Sequence, residues 1–271
     1  MAGSRKAIGA IKRSERKQVQ DLRGAGSEDA WLWDPKTTDL VKSRVDDKNL
    51  VRMRRSQFVH TAIKIFCVKG YYATTVKEIA DEANVSAGLI YQYITDKEDI
   101  LFLALQSITH TLKLGLPEAI FAASTPIDRY IAAYEKYCRV VDANRDACML
   151  TYRETKSLSR EHRGVIKSME IETNELIAAC VQECISADLF REVNVQLFVY
   201  QTIMVAHTWA LKNWRLSQLT NIDEYIRTNC DTLLHSVLTP KGKKFLDSLR
   251  SGSDTKVASL RSKRSSRTAH S

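Results

Sequence analysis

Residues 57–105 read QFVHTAIKIFCVKGYYATTVKEIADEANVSAGLIYQYITDKEDILFLAL, and this stretch constrains the fold more than any other. Phe58, Ala62, Ile65 and Phe66 recur at i, i+4, i+7 and i+8, which gives one apolar helix face. Gly70 follows where a left-handed C-cap would stop that helix. Thr74 or Thr75 caps the next, with Glu78 three residues after Thr75 as a capping box requires. Val76, Ile79, Ala80 and Ala83 form its short buried face. Asn84 and Val85 make a tight turn, because Asn tolerates left-handed geometry. Ser86 then caps a third helix, AGLIYQY, whose Ala87 and Gly88 are small enough to let backbone approach a surface closely. Thr95 or Asp96 caps a fourth, with Lys97 in its first turn. A short helix, a tight turn and a second helix at this spacing predict a helix-turn-helix, the unit that lays its second helix in the DNA major groove.

Helical patterning continues through most of the remaining chain. Prolines stand only at 35, 117, 126 and 240, and no alternation of period two appears. Helices are expected near 50–69, 76–83, 87–93, 97–114, 117–123, 127–141, 144–157, 160–187, 192–216 and 222–238, with Pro240 ending the last. The fold class is therefore all-α: an N-terminal three-helix helix-turn-helix domain plus a C-terminal helical ligand-binding and dimerisation domain. The expected divisions are an irregular basic arm over 1–47, the helix-turn-helix domain over 48–98, an effector and dimerisation domain over 99–240, and a disordered basic tail over 241–271. Trp31 and Trp33 are unusual in such an arm, since aromatics seek burial, and packing against the body is expected of them.

The chain has 271 residues and a formal net charge of +9, unevenly placed. Residues 1–55 carry fourteen Lys/Arg against eight Asp/Glu and residues 250–271 carry six against one, while the stretch between is slightly acidic. Basic ends of this kind hold phosphate nonspecifically and speed association, or serve solubility alone. No apolar run approaches a bilayer span and no leader opens the chain, so a cytoplasmic location and no membrane partner are expected. The six cysteines lack a CxxC pair or neighbouring ligands, which favours reduced thiols over a redox switch, and neither a metal site nor a cofactor is expected. There is no Gly-rich phosphate loop, nucleophile elbow or site-like carboxylate–His set, so an enzyme is not expected. Glu170, Glu172 and Glu175 read as a solvated helix face.

Residues 52–105 closely resemble the TetR/AcrR family, whose signature is a helix ending FxxxGY followed by TTVxxIAxxAxVSxGxxYxYxxxKxxL. Phe66, Gly70, Tyr71, Thr74, Thr75, Val76, Ile79, Ala80, Ala83, Val85, Ser86, Gly88, Tyr91, Tyr93, Lys97 and Ile100 match it. A weaker likeness continues to about residue 238. Two positions depart: the family often has Lys or Arg where this chain has Ala87, and Phe where it has Ile94. The candidate DNA-contacting residues are Ser86, Ala87, Gly88 and Leu89 at base edges, and Thr75, Tyr91, Tyr93 and Lys97 at phosphates, with Gln92 beside them; Tyr93 is also a candidate base contact. The resemblance implies a homodimer that binds double-stranded, palindromic operator DNA and responds to a small-molecule effector.

The segment Asp142–Asp146, then Met149–Glu154, and the helix carrying Trp209 and Trp214 are similar to a branch of the family that senses acyl-coenzyme A thioesters. An acyl-CoA or related carboxylic acid is therefore the effector class the resemblance implies. Candidate effector-lining residues are Tyr134, Met149, Tyr152, Arg153, His207, Trp209, Asn213 and Trp214. Each has a plainer role as bundle core, and Arg153 has Glu154 or Glu135 as an ordinary partner. Val195, Phe198, Val199, Ile203, Ala206 and Ala210, with Ile226, Leu233, Leu234 and Val237, either pair two helices with their symmetry mates or close the core of one protomer. The expected action is ligand-released repression. Binding strengthened by ligand, or nonspecific binding through the basic ends, are the alternatives.

Overall fold

Each early helix starts where a side chain satisfies its first free N–H groups. In the computed structural model, which describes Trp33 and residues 39–249, Asp47 caps α1 (Lys48–Lys69) by accepting from the N–H groups of Asn49 and Leu50. Gly70 ends it at φ +91 and ψ 151, outside the left-handed helical well but still a conformation that a residue without Cβ adopts readily. Thr75, rather than Thr74, caps α2 (Val76–Glu82) in a reciprocal box with Glu78. Asn84 turns the chain at φ +55. Ser86 caps α3, which is helical only over Ala87–Ile90 before Tyr91–Tyr93 turn out of it. Asp96, not Thr95, caps α4 (Lys97–Ala122) in a second reciprocal box, with Asp99.

The bundle follows as α5 (Pro126–Ala143), α6 (Arg145–Glu154) with a 3₁₀ turn at Thr155–Ser157, α7 (Arg160–Ser186), α8 (Val195–Leu211), α9 (Asn213–Leu219) and α10 (Ile222–Val237). Among the described residues there is no strand, only an isolated bridge between Phe190 and Leu238. α4 and α5 run through the centre, against α7 and α8, and α1 lies on α4 and α6.

Three further stretches differ from the sequence expectation. Helices expected at 97–114 and 117–123 are one, because Leu112, Leu116 and Ile120 stay buried on the same stripe through Pro117. The resulting 26-residue helix is long and apolar enough to cross a bilayer, contrary to expectation, but 72% of its most apolar window is buried inside the protein. The helix expected over 192–216 breaks at Lys212 (φ −119, ψ 22) into α8 and α9. Finally, Pro240 opens a helix, α11 (240–249), instead of ending structure. This corrects a disordered 241–271: Leu246 is buried, Thr239 Oγ donates to Asp188 O at 2.8 Å, and Lys241 Nζ donates to Ala187 O at 2.8 Å, where α7 ends. A Cβ on Gly242 would meet Leu189 O at 2.0 Å, so only glycine allows this seating. The rest of the tail, residues 250–271, lies outside the described residues, as do Trp31 and the arm over 1–32 and 34–38.

Candidate nucleic-acid interface and effector region

The outward surface around α3 carries Thr75, Lys77, Ser86, Gly88, Tyr91 and Gln92, all exposed, with Ala87 and Leu89 half-buried beneath them. Thr75 and Ser86 each spend one lone pair on a helix cap, Ser86 Oγ accepting from Leu89 N at 3.1 Å. Two of the expected contacts are engaged inside the domain. Tyr93 is 3% exposed and packs edge-on against Phe58, so its ring belongs to the domain core. Lys97 is already committed: its ammonium donates to the carbonyls of Tyr71 and Thr74 at 2.7 Å and lies 4.4 Å from the centre of the Tyr71 ring. It holds the turn before α2 while staying partly exposed.

The arm, in contrast, is tied to this surface. Trp33 is buried, and its indole N–H donates to Leu103 O of α4 at 2.9 Å. Arg55, buried on α1, donates to Val41 O at 2.6 Å and to Tyr93 O at 2.9 Å. Arg44 N and Ser43 Oγ both donate to Gln92 O, at 2.8 and 3.2 Å. Exposed Lys42 and Arg44 are thereby fixed beside the end of α3. The sequence marked the arm as basic, but the anchors span 14 to 70 positions, so no local pattern reveals which cations are held.

In the bundle, the expected effector residues divide into separate environments. His207 sits between two phenols, with Tyr137 Oη 3.0 Å from Nε2 and Tyr152 Oη 2.6 Å from Nδ1. Burial pushes its imidazole down to about 4, so it is neutral near pH 7. Glu170 lies in the field of both phenols, and its carboxyl is raised by burial. Glu172, paired with Lys113, and Glu175, accepting from Gln196, are exposed as the acidic face requires, and only Glu170 departs from it by being half-buried. Tyr134 is fully buried, with its hydroxyl beside Cys138 and with Tyr225 and Cys230 also in its field, so it lies apart from His207. Trp209 is buried and donates to Asp142 at 2.7 Å; Asn213 accepts from Arg145 at 3.1 Å. Met149 is half-buried, and Trp214 is 71% exposed. Arg153 pairs with neither expected carboxylate, since Glu135 meets Arg139 and Glu154 accepts from Ser157; its guanidinium reaches Cys67 O on α1 at 3.4 Å.

α6 thus bridges two layers. Arg153 and Asp146, whose carbonyl lies 3.6 Å from Cys67 Sγ, hold it to α1, while Tyr152 holds it to His207 and Met204 of α8. A cleft of about 200 Å³ opens at this seam, lined by His60, Ile63 and Lys64 of α1 and residues 142–147, none of them an expected effector residue. Burial raises the thiols of Cys138, Cys148 and Cys180 to about 12, which keeps them protonated and unreactive.

Comparison with known proteins follows the same two-part division. Residues 58–104 match the family described as bacterial regulatory proteins, tetR family, and residues 123–215 match the tetracyclin repressor-like C-terminal domain. The HTH-type transcriptional regulator HbdR of Aromatoleum sp. (strain CIB) is 43% identical over 210 residues, covering 78% of this chain and 92% of the relative. The HTH-type transcriptional repressor KstR2 of Rhodococcus jostii (strain RHA1) is 24% identical over 193 residues, covering 69% and 95%. Among solved structures, AibR in complex with isovaleryl coenzyme A and operator DNA superposes with a TM-score of 0.60 at 17% identity, covering 67% of this chain and 98% of that one.

Proposed function

The chain belongs to the TetR family of bacterial regulatory proteins, DNA-binding transcriptional regulators rather than enzymes, and from that premise we propose that it is a dimeric repressor released from a palindromic operator by an acyl-CoA thioester. Thr75, Ser86, Ala87, Gly88, Leu89, Tyr91 and Gln92 make the operator contacts, with Ser86 to Leu89 nearest base edges. Tyr93 and Lys97 act behind them, as core and as turn support.

The observation that carries the release mechanism is the position of α6. It is hydrogen-bonded to α1 of the reader on one side and to His207 and Met204 of α8 on the other. A ligand that separates α6 from α8 displaces α1 with it, provided the ligand prefers the displaced arrangement; tight binding to both states would shift nothing. The neutral His207 with its two phenols supplies donors and acceptors, not charge, which suits a thioester carbonyl better than a free carboxylate. The acyl-CoA class is further supported by the isovaleryl coenzyme A bound to AibR, whose fold this chain shares.

The test is a titration of the duplex upstream of the protein's own gene, with and without a panel of acyl-CoA thioesters and the matching free acids. Release by a thioester but not by its acid is the expected result. Specific binding that no thioester weakens would overturn the effector assignment, and tightening by a thioester would reverse the sign of regulation.

A further inference from the structure

We propose that the segment over residues 39–47 is a second DNA-contacting element, in which Lys42 and Arg44 hold the phosphates that border the groove read by α3. The inference rests on the operator-binding reading above. Its geometry begins at Gln92, just beyond α3, whose carbonyl receives both Arg44 N and Ser43 Oγ. An α-helix with side chains is about 10–12 Å across and the major groove about 12 Å wide, so α3 fills the groove. A chain hydrogen-bonded at the end of that helix has no room between the bases and must lie on the rim, where the phosphates are. Lys42 and Arg44 are exposed there, and neither pairs with a carboxylate among the described residues.

Two of the segment's three acids are engaged away from Lys42 and Arg44. Asp47 is turned into α1 as its cap, and Asp39 lies in the field of the buried Arg55 guanidinium. Only Asp46 is left to solvent without such a role. The segment is also held rigidly enough to act as a contact and not as a loose counterion. Arg55 fixes Val41 and the Gln92 carbonyl fixes Ser43 and Arg44, while Trp33 pins the chain just upstream to α4. Ordering entropy is therefore spent in folding and not at the moment of DNA binding. Residues 5–23 carry seven Lys/Arg against two Asp/Glu, which adds to the attraction for phosphate.

The test compares full-length wild type with the Lys42→Ala/Arg44→Ala variant on the upstream duplex and on a scrambled duplex, across a salt series. The variant is expected to lose about tenfold or more in affinity and to lower the slope of log affinity against log salt by about 2, near 0.9 per phosphate released. The Lys42→Arg/Arg44→Lys variant should restore both. Unchanged affinity and slope would overturn the proposal, and so would a loss of affinity with an unchanged slope, because that signals a distorted fold rather than lost phosphate contacts. If wild type does not distinguish the two duplexes, the operator reading itself fails and this inference goes with it.

Discussion

His207 carries the clearest pH signature. Its imidazole is pushed down to about 4 by burial between Tyr137 and Tyr152, against about 6.5 in the unfolded chain. Between those values the unfolded chain binds more protons, so stability rises with pH there and is lost as pH falls through 6.5 toward 4. Glu170 works in the opposite sense, because a carboxyl raised by burial gains stability on protonation, at the lower end of the window. His207→Gln should therefore flatten the decline in thermal stability between pH 7 and 5, a decline of about 2 kcal/mol from this group. Equal declines in wild type and variant would show that the imidazole is not held neutral by its site. Residue roles near α3 show why chemistry alone misleads at this scale. Tyr93 has the hydroxyl a phosphate contact wants, yet it lies in the turn after α3 and packs against Phe58 of α1, a long-range contact that no local pattern reveals. Lys97 has the charge, but its carbonyl partners lie 23 to 26 positions away, beyond the reach of any local pattern.

At the scale of elements, periodicity and caps made the reader legible almost residue by residue, because Thr75, Asn84 and Ser86 act within a few positions of themselves. Continuity in the bundle was not legible, because tertiary burial decides it. Pro117 lacks the N–H that would bond Lys113 O, a defect worth about 3 kcal/mol in a helix interior. α4 nevertheless runs through it, since Leu112, Leu116 and Ile120 are all buried. If burial is what overrides the proline, Pro117→Ala restores a hydrogen bond without disturbing the stripe and should stabilise the protein by about 1–3 kcal/mol in urea unfolding. A destabilised variant would instead mean that Pro117 sets a bend the packing requires. The same logic explains α11: Pro240 read as a stop, whereas it is the first residue of a helix seated by Gly242 against Leu189.

The whole molecule poses the question of how two readers are held together. Phe198, Val199, Ile203, Ala206 and Ala210 of α8, and Ile226, Leu233, Leu234 and Val237 of α10, are buried within the protomer, so the faces marked in the sequence close its core and are not free to pair copies. A different face of α8 is apolar and open: Leu197 is 62% exposed, and Tyr200 and Met204 are each 43% exposed, at i, i+3 and i+7. Such a stripe rarely stands uncovered on a monomer. It also adjoins Tyr152, whose hydroxyl lies 3.3 Å from Met204 Sδ, so a partner seated there would feel the His207 cluster directly. Linking two readers turns the second binding event into an intramolecular one, which strengthens binding by about a hundredfold or more without any new contact to DNA. Leu197→Glu/Tyr200→Glu places two charges on the stripe while leaving every operator residue and the Tyr152–Met204 contact intact. The variant should sediment as a monomer with an unchanged circular dichroism spectrum, and its affinity for the upstream duplex should fall about a hundredfold or more. If it still sediments as a dimer, the copies meet elsewhere. If it is monomeric but binds DNA as wild type does, a single reader suffices and the palindromic operator is no longer required.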